Sequence, residues 1–598
     1  MSAVTVNIAA AFSGRLVHWA LSSNVSAQHA EVLAAAGAVV AQRTSEGHVC
    51  ARLSEVAEAT QLEVGALRAL LLGTGLVAAP DARATAVLVL DAADRLYLHR
   101  YYDYEARLAR RLAVSLTGLQ PTITGPGLAL LAALFDPLVT DGSQWQRLAV
   151  AVALGRRLLV VSGGPGTGKT TTVAKLLACL VAEDPRCRIA LAAPTGKAAA
   201  RLGAALAEKS AALPAALQAR LAQVPTTVHR LLGSGLRGFR HNAAHRLPFD
   251  VVVIDEASML DVSLATHLLE AIPDHARIIL LGDRDQLEAV ESGAVFSQLC
   301  ATQALTVPMR HALAQWSQVP EEAIDATIDP LDPMADSVIW FQKNYRFHRD
   351  SAIGRFALAI QAGDADASLA ELGAKDPALE WLLPRGAQPD VAVIERLRAG
   401  YAAYYAAAAS DADPLTVLRA FDAFRVLAAM REGPWGVNAL NQWLARTMRE
   451  RVQTLTGGPW YRGRPVLVTR NDRVVNLFNG DIGVTLPDAS GQLRVWFPAG
   501  ADGVRSVPLA QLPPHDTAFA MTVHKSQGSE FAQVAVILPE ADSPMLSREL
   551  LYTAVTRARE QALVIARAGA VAAAVRQPGN RLSGLRDQLE QALHGAGQ

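Results

Sequence analysis

The sequence is poor in cysteine and contains no long apolar run. Its four cysteines, Cys50, Cys179, Cys187 and Cys300, form no C-x-x-C pair, which argues against a zinc or iron–sulfur site and fits a reducing compartment. A run of 18 apolar residues is absent, and so is a basic, apolar and cleavable N-terminal leader. We therefore expect a soluble cytoplasmic protein that does not enter a membrane.

The chain also lacks an excess of charge of either sign. Lys plus Arg and Asp plus Glu each number 56 in 598 residues, so the formal net charge is zero. Nucleic-acid-binding proteins are more often basic, although a basic groove can be balanced by acidic residues elsewhere. Charge alone therefore does not indicate a nucleic-acid partner. With 51% hydrophobic and 19% charged residues, the composition is that of a globular chain, and its length predicts three to five domains.

The most informative segment is the glycine-rich run at residues 163–170. It reads Gly-Gly-Pro-Gly-Thr-Gly-Lys-Thr and matches the phosphate-loop pattern G-x-x-x-x-G-K-[ST]. A strand pattern at 157–162 precedes it and a helical pattern at 171–181 follows, which is the context that such a loop requires. Lys169 is expected to reach the β- and γ-phosphates of ATP, and the Thr170 hydroxyl to bind Mg²⁺. The predicted nucleotide-binding residues are Gly163, Gly164, Pro165, Gly166, Thr167, Gly168, Lys169, Thr170 and Thr171.

Polar residues follow two further apolar strand patterns. Asp255 and Glu256 come directly after the first, where Asp255 is expected to hold Mg²⁺ and Glu256 to deprotonate the attacking water. Gln286 follows the second and is a candidate sensor of the γ-phosphate, although alone it is more typical of a solvated turn. Gln146, upstream of the loop, is a candidate for pairing with the adenine edge, although alone it is more typical of a helix surface.

The alternation of strand and helix patterns predicts two α/β lobes with parallel sheets. We expect an N-terminal, mainly helical domain at residues 1–110, a first lobe at 111–335 and a second lobe at 336–598. The first lobe is predicted to carry a small insertion near 205–248, and the second a small antiparallel β module near 452–515. Four prolines at 305–338 indicate a linker or mobile loop.

Two arginines of the second lobe are candidates for completing an ATP site. Arg346 lies in the segment 344–347 and Arg557 in the segment 551–559. An arginine that reaches across a cleft neutralises charge on the transferred phosphoryl group. In isolation, either residue is more often an exposed or ion-paired arginine.

In this order, the segments resemble the motifs of superfamily I DNA helicases. Besides 163–170 and 255–258, the matching segments are 193–198, 226–233, 282–287, 344–347, 522–530 and 552–559. Within the superfamily the chain resembles the RecD family, the alpha subunits of exodeoxyribonuclease V, most strongly at 163–172, 255–261, 282–287, 479–483 and 524–529. Gly47-His-Val-Cys50 is also similar to that family. Stand-alone RecD-like helicases carry helix–hairpin–helix elements in their N-terminal region, and this sequence has none.

The resemblance implies two RecA-like lobes of the P-loop NTPase fold and 5′→3′ movement on single-stranded DNA. The resemblance implies that the catalytic residues are Lys169, Glu256, Gln286, Arg346 and Arg557. It places DNA contacts at Thr195, Lys197, Thr227, His229, His524 and Ser526. The implied partners are single-stranded DNA at duplex ends and the RecB-like and RecC-like subunits of a heterotrimer, docked through residues 1–110. The implied role is double-strand-break repair by homologous recombination.

Other functions remain open on the sequence. One is a P-loop ATPase that regulates or assembles a complex with little motor activity, and another is a stand-alone RecD-like helicase. The segments 522–530 and 552–559 favour a motor, because a simple nucleotide switch needs neither. A nucleotide kinase is disfavoured, since such enzymes are much shorter and lack the Asp-Glu pair with distant arginines.

Overall fold

The computed structural model describes residues 3–80, 86–117, 125–136, 142–211, 213–221, 224–235, 237–345, 351–452, 458–472, 474–500 and 503–596. Among these residues, no helix is both long and apolar enough to cross a membrane.

The N-terminal domain consists of four helices packed against a small sheet. The sheet order is β1-β4-β3-β2, with β2 parallel to β3 and the other pairs antiparallel. Leu16, Leu33, Val56 and Leu88 are fully buried together, which gives this domain a core of its own. The prediction of a mainly helical N-terminal domain is therefore confirmed. Its elements are α1 (Ala3–Ser22), α2 (Ala27–Ser45), β1 (Cys50–Arg52), α3 (Leu53–Thr60), α4 (Val64–Gly73), β2 (Val77–Ala78), β3 (Leu88–Leu90) and β4 (Arg95–Leu98). A long helix, α5 (His99–Leu116), follows.

The first lobe is built on a six-stranded parallel sheet of order β14-β5-β11-β10-β6-β7, as predicted. Its central strands are apolar throughout because helices cover both faces. The elements are α6 (Pro126–Leu134), α7 (Gln144–Gly155), β5 (Leu158–Ser162), α8 (Lys169–Glu183), β6 (Ile189–Ala193), α9 (Gly196–Ser210), α10 (Ala215–Leu221), β7 (Thr226–Thr227), α11 (Val228–Leu231), β8 (Ser234–Gly235), β9 (Gly238–Phe239), β10 (Val251–Ile254), α12 (Val262–Ala271), β11 (Arg277–Gly282), α13 (Val295–Leu299), β12 (Ala304–Leu305), α14 (Val307–Ser317), β13 (Thr327–Ile328) and β14 (Val338–Trp340). The short β8–β9 hairpin lies in the region predicted for an insertion.

The proline-containing segment 305–338 is not a linker, contrary to the prediction. It contains α14, whose N-cap Thr306 accepts a hydrogen bond from the N–H of Met309 at 3.2 Å. Leu313 and Trp316 of this helix are buried in the core of the first lobe. Because β14 pairs with β5, the first lobe extends beyond the predicted boundary at residue 335.

The second lobe has a five-stranded parallel sheet of order β15-β24-β23-β16-β22, which confirms the two-lobed α/β fold. An antiparallel module of order β20-β19-β18-β17-β21 is inserted between β16 and β22, in the predicted region. The elements are α15 (Ala352–Ala362), α16 (Ala365–Gly373), β15 (Leu379–Leu382), α17 (Val391–Gly400), α18 (Ala402–Ala409), α19 (Pro414–Asp422), β16 (Phe424–Ala428), α20 (Val437–Arg451), β17 (Pro465–Val468), β18 (Ile482–Pro487), β19 (Leu493–Ala499), β20 (Gly503–Pro508), β21 (His515–Thr517), β22 (Ala520–Thr522), β23 (Phe531–Ile537), α21 (Arg548–Val555), β24 (Ala558–Ile565) and α22 (Ala568–Arg576).

The last helix, α23 (Leu585–Ala596), leaves the second lobe and packs against α5. Leu585 and Leu589 are buried in the same core as Leu108 and Leu112 of α5. The buried carboxylate of Glu105 accepts hydrogen bonds from the Ser583 hydroxyl and the Gly584 N–H at the start of α23. The C-terminal helix therefore belongs with the first lobe and α5, whereas the sequence placed it in the second lobe.

Candidate ATP site and DNA-facing surface

The phosphate loop joins β5 to α8 in the expected conformation. Gly168 has a φ of +82°, and a Cβ there would lie 2.6 Å from Nε2 of Gln146, so only glycine fits. The Thr167 hydroxyl donates to the Gly164 carbonyl at 2.8 Å and closes the loop. Nζ of Lys169 donates to the carbonyl oxygens of Gly163 and Gly164 inside the loop, which holds an ammonium group where phosphate oxygens would bind.

Gln146 lies directly against this loop. Its Nε2 donates to the carbonyl oxygen of Thr167 at 2.9 Å, and the side chain lines the same cavity as the loop. The segment that leads to the second lobe is tied to the loop as well: the N–H of Tyr345 donates to the Gly166 carbonyl at 2.8 Å, and Nδ2 of Asn344 donates to the Pro165 carbonyl at 2.9 Å. Arg346, the next residue, lies outside the described residues.

Asp255 and Glu256 follow β10 at the carboxyl edge of the first sheet, beside the loop. Glu256 has a φ of +53°, and its N–H donates to Oδ1 of Asp255 at 2.9 Å. Burial, together with the charge of Glu256, raises the pKa of Asp255 to about 6, while Lys169 opposes the shift. Asp255 and Glu256 therefore line the same cavity as Lys169, which brings two carboxylates and one ammonium group together.

Arg557 is a residue of the second lobe that lines this cavity. Its side chain is almost fully buried, with Nε donating to the Thr553 carbonyl at 3.1 Å and Nη1 to the Ser529 carbonyl at 3.3 Å. Nη2 has no hydrogen-bond partner among the described residues. Burial lowers the pKa of Arg557, and the charges of Glu256 and Glu530 oppose this shift. A buried arginine with an unpartnered N–H donor, beside a cavity that it lines, is a feature expected of a site that binds an anion.

The cavity between the lobes has a volume of about 580 Å³. The described residues with predicted ATP roles line it, except Gly163. Four further polar residues for which no ATP role was predicted also line it: Arg201, Lys209, Tyr345 and Glu530. Arg201 of α9 forms an ion pair with Glu530 across the lobes. Glu530 is the last residue of the helicase-like segment 522–530, so the sequence pattern could have indicated it. No local pattern distinguishes Arg201 from other exposed helical arginines.

The loop after β11 connects the two lobes at the edge of this cavity. Nε2 of Gln286 donates to Oδ2 of Asp283 at 2.8 Å, and Gln286 is buried against the cavity. The N–H of Leu287 donates to the Thr553 hydroxyl at 2.7 Å, and Nε2 of Gln527 donates to the Leu287 carbonyl at 2.5 Å. The first-lobe loop is thus bonded directly to two helicase-like motifs of the second lobe.

The residues predicted to contact DNA have mixed environments. Thr195 and Thr227 cap α9 and α11 with their side chains, accepting hydrogen bonds from the N–H groups of Ala198 and Arg230. Lys197 lies with Nζ 5.8 Å from the centroid of the Phe531 ring, between the lobes. His229 lies on α11, next to the ring of Phe239.

Ser526 departs from the expectation of a DNA-contacting side chain. It is fully buried, and its hydroxyl donates to the Val523 carbonyl at 2.7 Å. The tight turn that leaves Lys525 exposed and His524 half-buried turns this hydroxyl inward. His524 and Lys525 line a second cavity of about 1190 Å³, which also borders the N-terminal domain, α20 and the β module.

Two family models match the chain: an AAA domain over residues 146–292 and a UvrD-like helicase C-terminal domain over residues 517–565. The RecBCD enzyme subunit RecD of Mycobacterium tuberculosis is 39% identical over 508 residues, which cover 83% of this chain and 80% of that protein. The corresponding subunit of Haemophilus influenzae is 34% identical over 485 residues, covering 76% and 74%. The chain belongs to the RecD family. The resemblance inferred from the motifs is confirmed, and the chain is a helicase that uses ATP.

A second type of RecD-like protein is also similar. The ATP-dependent RecD2 DNA helicase of Deinococcus radiodurans is 34% identical over 409 residues, covering 68% of this chain but only 46% of that protein. Among solved structures, the Pif1 helicase from Candida albicans aligns with a TM-score of 0.39 and 16% identity, covering 73% of this chain and 96% of that one. The two types of RecD protein differ in how much of their length matches this chain. The match covers 80% and 74% of the two RecBCD subunits but 46% of the RecD2 helicase.

Proposed function

We propose that this RecD-family chain is an ATP-driven 5′→3′ DNA translocase and helicase that works as one subunit of a heterotrimeric exodeoxyribonuclease V in double-strand-break repair. The observation that carries the motor assignment is Nη2 of Arg557. Arg557 comes from the second lobe and lines a cavity that the phosphate loop of the first lobe also lines, and its buried Nη2 has no hydrogen-bond partner among the described residues. ATP is the polyanion that would satisfy it and hold the lobes together.

The proposed hydrolysis step uses residues of both lobes. Lys169 moves its ammonium group from the loop carbonyls to the β- and γ-phosphates, and Gln146 is proposed to contact the adenine edge. Glu256 takes the proton from the attacking water, a general-base role typically worth 10²- to 10⁴-fold in rate. Arg557 neutralises charge on the transferred phosphoryl group, an arginine role worth 10³- to 10⁵-fold. Gln286 is proposed to sense the γ-phosphate, and Arg346 to assist Arg557.

The residues also fit Mg²⁺. The Thr170 hydroxyl and the Asp255 carboxylate line the same cavity, and both offer the hard oxygen ligands that Mg²⁺ prefers. The raised pKa of Asp255 reflects a carboxylate buried beside Glu256, which a bound cation would stabilise. When held there by Thr170 and Asp255, Mg²⁺ would supply positive charge that neutralises the phosphate groups of ATP.

Single-stranded DNA is proposed to lie across the polar edge formed by Thr195, Lys197, Thr227, His229 and His524. Hydroxyl, imidazole and backbone N–H groups bind phosphates and sugars without reading sequence. The hydrogen bonds of Leu287 to Thr553 and Gln527 join this edge to the ATP cavity. Closing of the lobes on ATP and opening after hydrolysis would then move the chain along the strand.

The 5′→3′ polarity and the RecB-like and RecC-like partners are proposed from family membership. The coverage of the RecBCD subunits favours an assembled subunit over a stand-alone helicase or an ATPase without motor activity.

The decisive experiment measures ATP hydrolysis with and without single-stranded DNA, and unwinding of duplexes with a 5′ or a 3′ overhang. We expect stimulation by DNA and a requirement for the 5′ overhang. Indifference to DNA would favour the regulatory ATPase, and preference for a 3′ overhang would reverse the polarity.

Lys169→Ala provides the control for that experiment. Removing the ammonium group should abolish hydrolysis and unwinding, because the phosphate charge loses its counter-ion, while DNA binding without nucleotide persists. Near-normal hydrolysis by this variant would show that the measured activity comes from another site or a contaminant.

A further inference from the structure

The segment Gly47-His-Val-Cys50 of the N-terminal domain, which leads into β1, contacts the loop after β11. The N–H of Gly293 donates to the Gly47 carbonyl at 3.0 Å. The Ser292 hydroxyl donates to the Thr44 carbonyl at 2.9 Å. The N-terminal domain therefore binds the end of the loop whose beginning, at Gln286, lines the ATP cavity.

The segment between α22 and α23 also contacts this part of the N-terminal domain. Between α22 and α23, Leu582 donates its N–H to Nδ1 of His48 at 2.9 Å and accepts a hydrogen bond from the Val49 N–H at 3.0 Å. A neutral imidazole is required to accept at Nδ1, and burial, followed by the nearby charge of Arg43, lowers the pKa of His48 and favours that form. The strand-like pairing fixes the segment before α23 to the N-terminal domain.

Arg581 binds the loop directly. Its Nη1 donates to the Glu291 carbonyl at 2.8 Å, and its Nε lies 3.3 Å from Oε2 of Glu288. The guanidinium lies so close to Gly47 that a Cβ on that residue would be 2.6 Å from Cζ of Arg581, and Gly47 also has a φ of +94°. The glycine is needed both for its backbone conformation and for the approach of Arg581.

The loop of residues 283–293 is shared by two cavities. Gln286 lines the ATP cavity, whereas Leu287, Glu288 and Val290 line the larger cavity that contains His524 and Lys525. The loop is therefore held at its first half by the second lobe, and at its second half by Arg581 and the segment 44–49. Hydrogen bonds at both ends leave it few conformations other than the one observed.

We propose that Arg581 and the Gly47–Cys50 segment form a junction that positions the 283–293 loop, so that DNA-stimulated ATP turnover depends on the N-terminal domain. This inference rests on the proposed motor function. Arg581 is a positioning residue: it does not line the ATP cavity, it lines the larger cavity together with His524, and it acts through the backbone of Glu291. The N-terminal domain is then part of the motor's coupling and not only a place where other subunits dock.

The test compares Arg581→Ala and Arg581→Lys with the matched control Arg567→Ala. Arg567 is half-exposed, lies at the N-terminal end of α22 and forms an ion pair with Glu540 at 3.0 Å. For each full-length variant, nucleotide affinity, DNA affinity, melting temperature and the kcat of ATP hydrolysis at saturating single-stranded DNA are measured. We expect Arg581→Ala to lower that kcat about tenfold, within the range typical of coupling between sites, with nucleotide affinity changed less than twofold. Because Arg581 lines the same cavity as His524, DNA affinity is measured for each variant so that every kcat is compared at saturating DNA. Arg581→Lys keeps the charge beside Glu288 and should recover part of the loss.

Gly47→Ala provides an independent variant, because its Cβ would displace Arg581 without removing it. We expect the same selective loss of stimulated kcat. Wild-type kcat in Arg581→Ala, or a parallel loss of affinities, melting temperature and kcat, would overturn the proposal and leave Arg581 with no role or a purely structural one. If the wild-type enzyme itself is not stimulated by DNA, the motor function fails and this inference fails with it.

Discussion

Ser529 anchors Arg557: Nη1 of the arginine donates to the Ser529 carbonyl at 3.3 Å, while Nη2 on the same guanidinium has no partner among the described residues. Ser529 belongs to the segment that carries His524 and Lys525 at the larger cavity. The arginine proposed to contact ATP is therefore held by the backbone of a segment proposed to contact DNA. A shift of that segment would move the guanidinium.

Arg557→Ala should retain ATP binding through the phosphate loop and lose turnover. The arginine role is worth roughly 10³- to 10⁵-fold, so a loss of at least 10²-fold in kcat is expected. Arg557→Lys keeps a positive charge but loses the planar fork that binds Ser529 and a phosphate together, so it should recover little. Single-turnover hydrolysis and fluorescent-nucleotide binding measure the two effects. Lost affinity with normal turnover of bound ATP would contradict the assignment.

Glu256→Gln separates binding from chemistry in the first lobe. The amide keeps the shape of the side chain but cannot accept the proton of water, so turnover should fall about 10²- to 10⁴-fold while ATP still binds. The nearby charge of Glu256 helps to raise the pKa of Asp255, so the pKa of Asp255 should fall in this variant. A variant that hydrolyses ATP at the wild-type rate would exclude Glu256 as the base.

The N-terminal domain is proposed to dock the RecC-like subunit. Removal of residues 1–110 is a poor test, because it would cut through α5, whose Leu108 is buried. Trp19 and Leu21 of α1 are large apolar residues with 38% and 50% of their surface exposed, and tryptophan is common among residues that dominate interfaces. Replacing both by serine should weaken co-purification with the partner subunits at least tenfold without lowering the DNA-stimulated ATPase.

The control for this experiment is Val391→Ser, which replaces an exposed apolar residue of the second lobe. It should leave co-purification unchanged. If the double variant still assembles at normal affinity, this part of α1 is not the docking surface.

Glu105 predicts a pH-dependent stability. Burial raises the pKa of this carboxyl from its ordinary 4.5 to about 7, although the Ser583 hydroxyl and the Gly584 N–H donate to it. Between these two pH values the folded chain holds a proton that the unfolded chain releases. The stability that Glu105 contributes below pH 4.5 is therefore lost as the pH rises to 7, by about 3 kcal/mol at most.

Glu105→Gln mimics the protonated group and should remove this dependence. The melting temperature of the wild type, relative to that of the variant, should fall between pH 5 and pH 8. Parallel curves for the two proteins would mean that Glu105 stays charged or that α23 is not held by it.

Short-range patterns predicted the parts of the site that local sequence encodes. The phosphate loop, Asp255 and Glu256 lie where expected, because strand, turn and helix signals surround each of them. The prediction for the segment 305–338 is wrong because proline is not always a helix breaker. Pro308 lies in the first turn of α14, where the missing N–H breaks no helical bond, and Met309, Leu313 and Trp316 already show helical spacing.

The sequence patterns do not predict the contacts between residues that lie far apart in the chain. Nothing local in residues 585–596 indicates that this amphipathic helix packs on α5, because any apolar partner face would satisfy it. The Arg201–Glu530 ion pair likewise joins residues more than 300 positions apart. The resemblance to the RecD family supplied the roles of Arg346 and Arg557, which residue type alone would have left as ordinary arginines.

The return of α23 to the first lobe means that the chain connects the lobes twice. One connection leaves the first lobe beside the phosphate loop, where Tyr345 bonds to Gly166, and the other re-enters it at Arg581 beside Glu291. A body attached at one point can swivel in any direction, whereas a body attached at two points can only swing about the line between them. These two attachments favour rotation of the second lobe about that line. After a protease cut in the first connection the lobes are held together only by non-covalent contacts, among them the packing of α23 on α5.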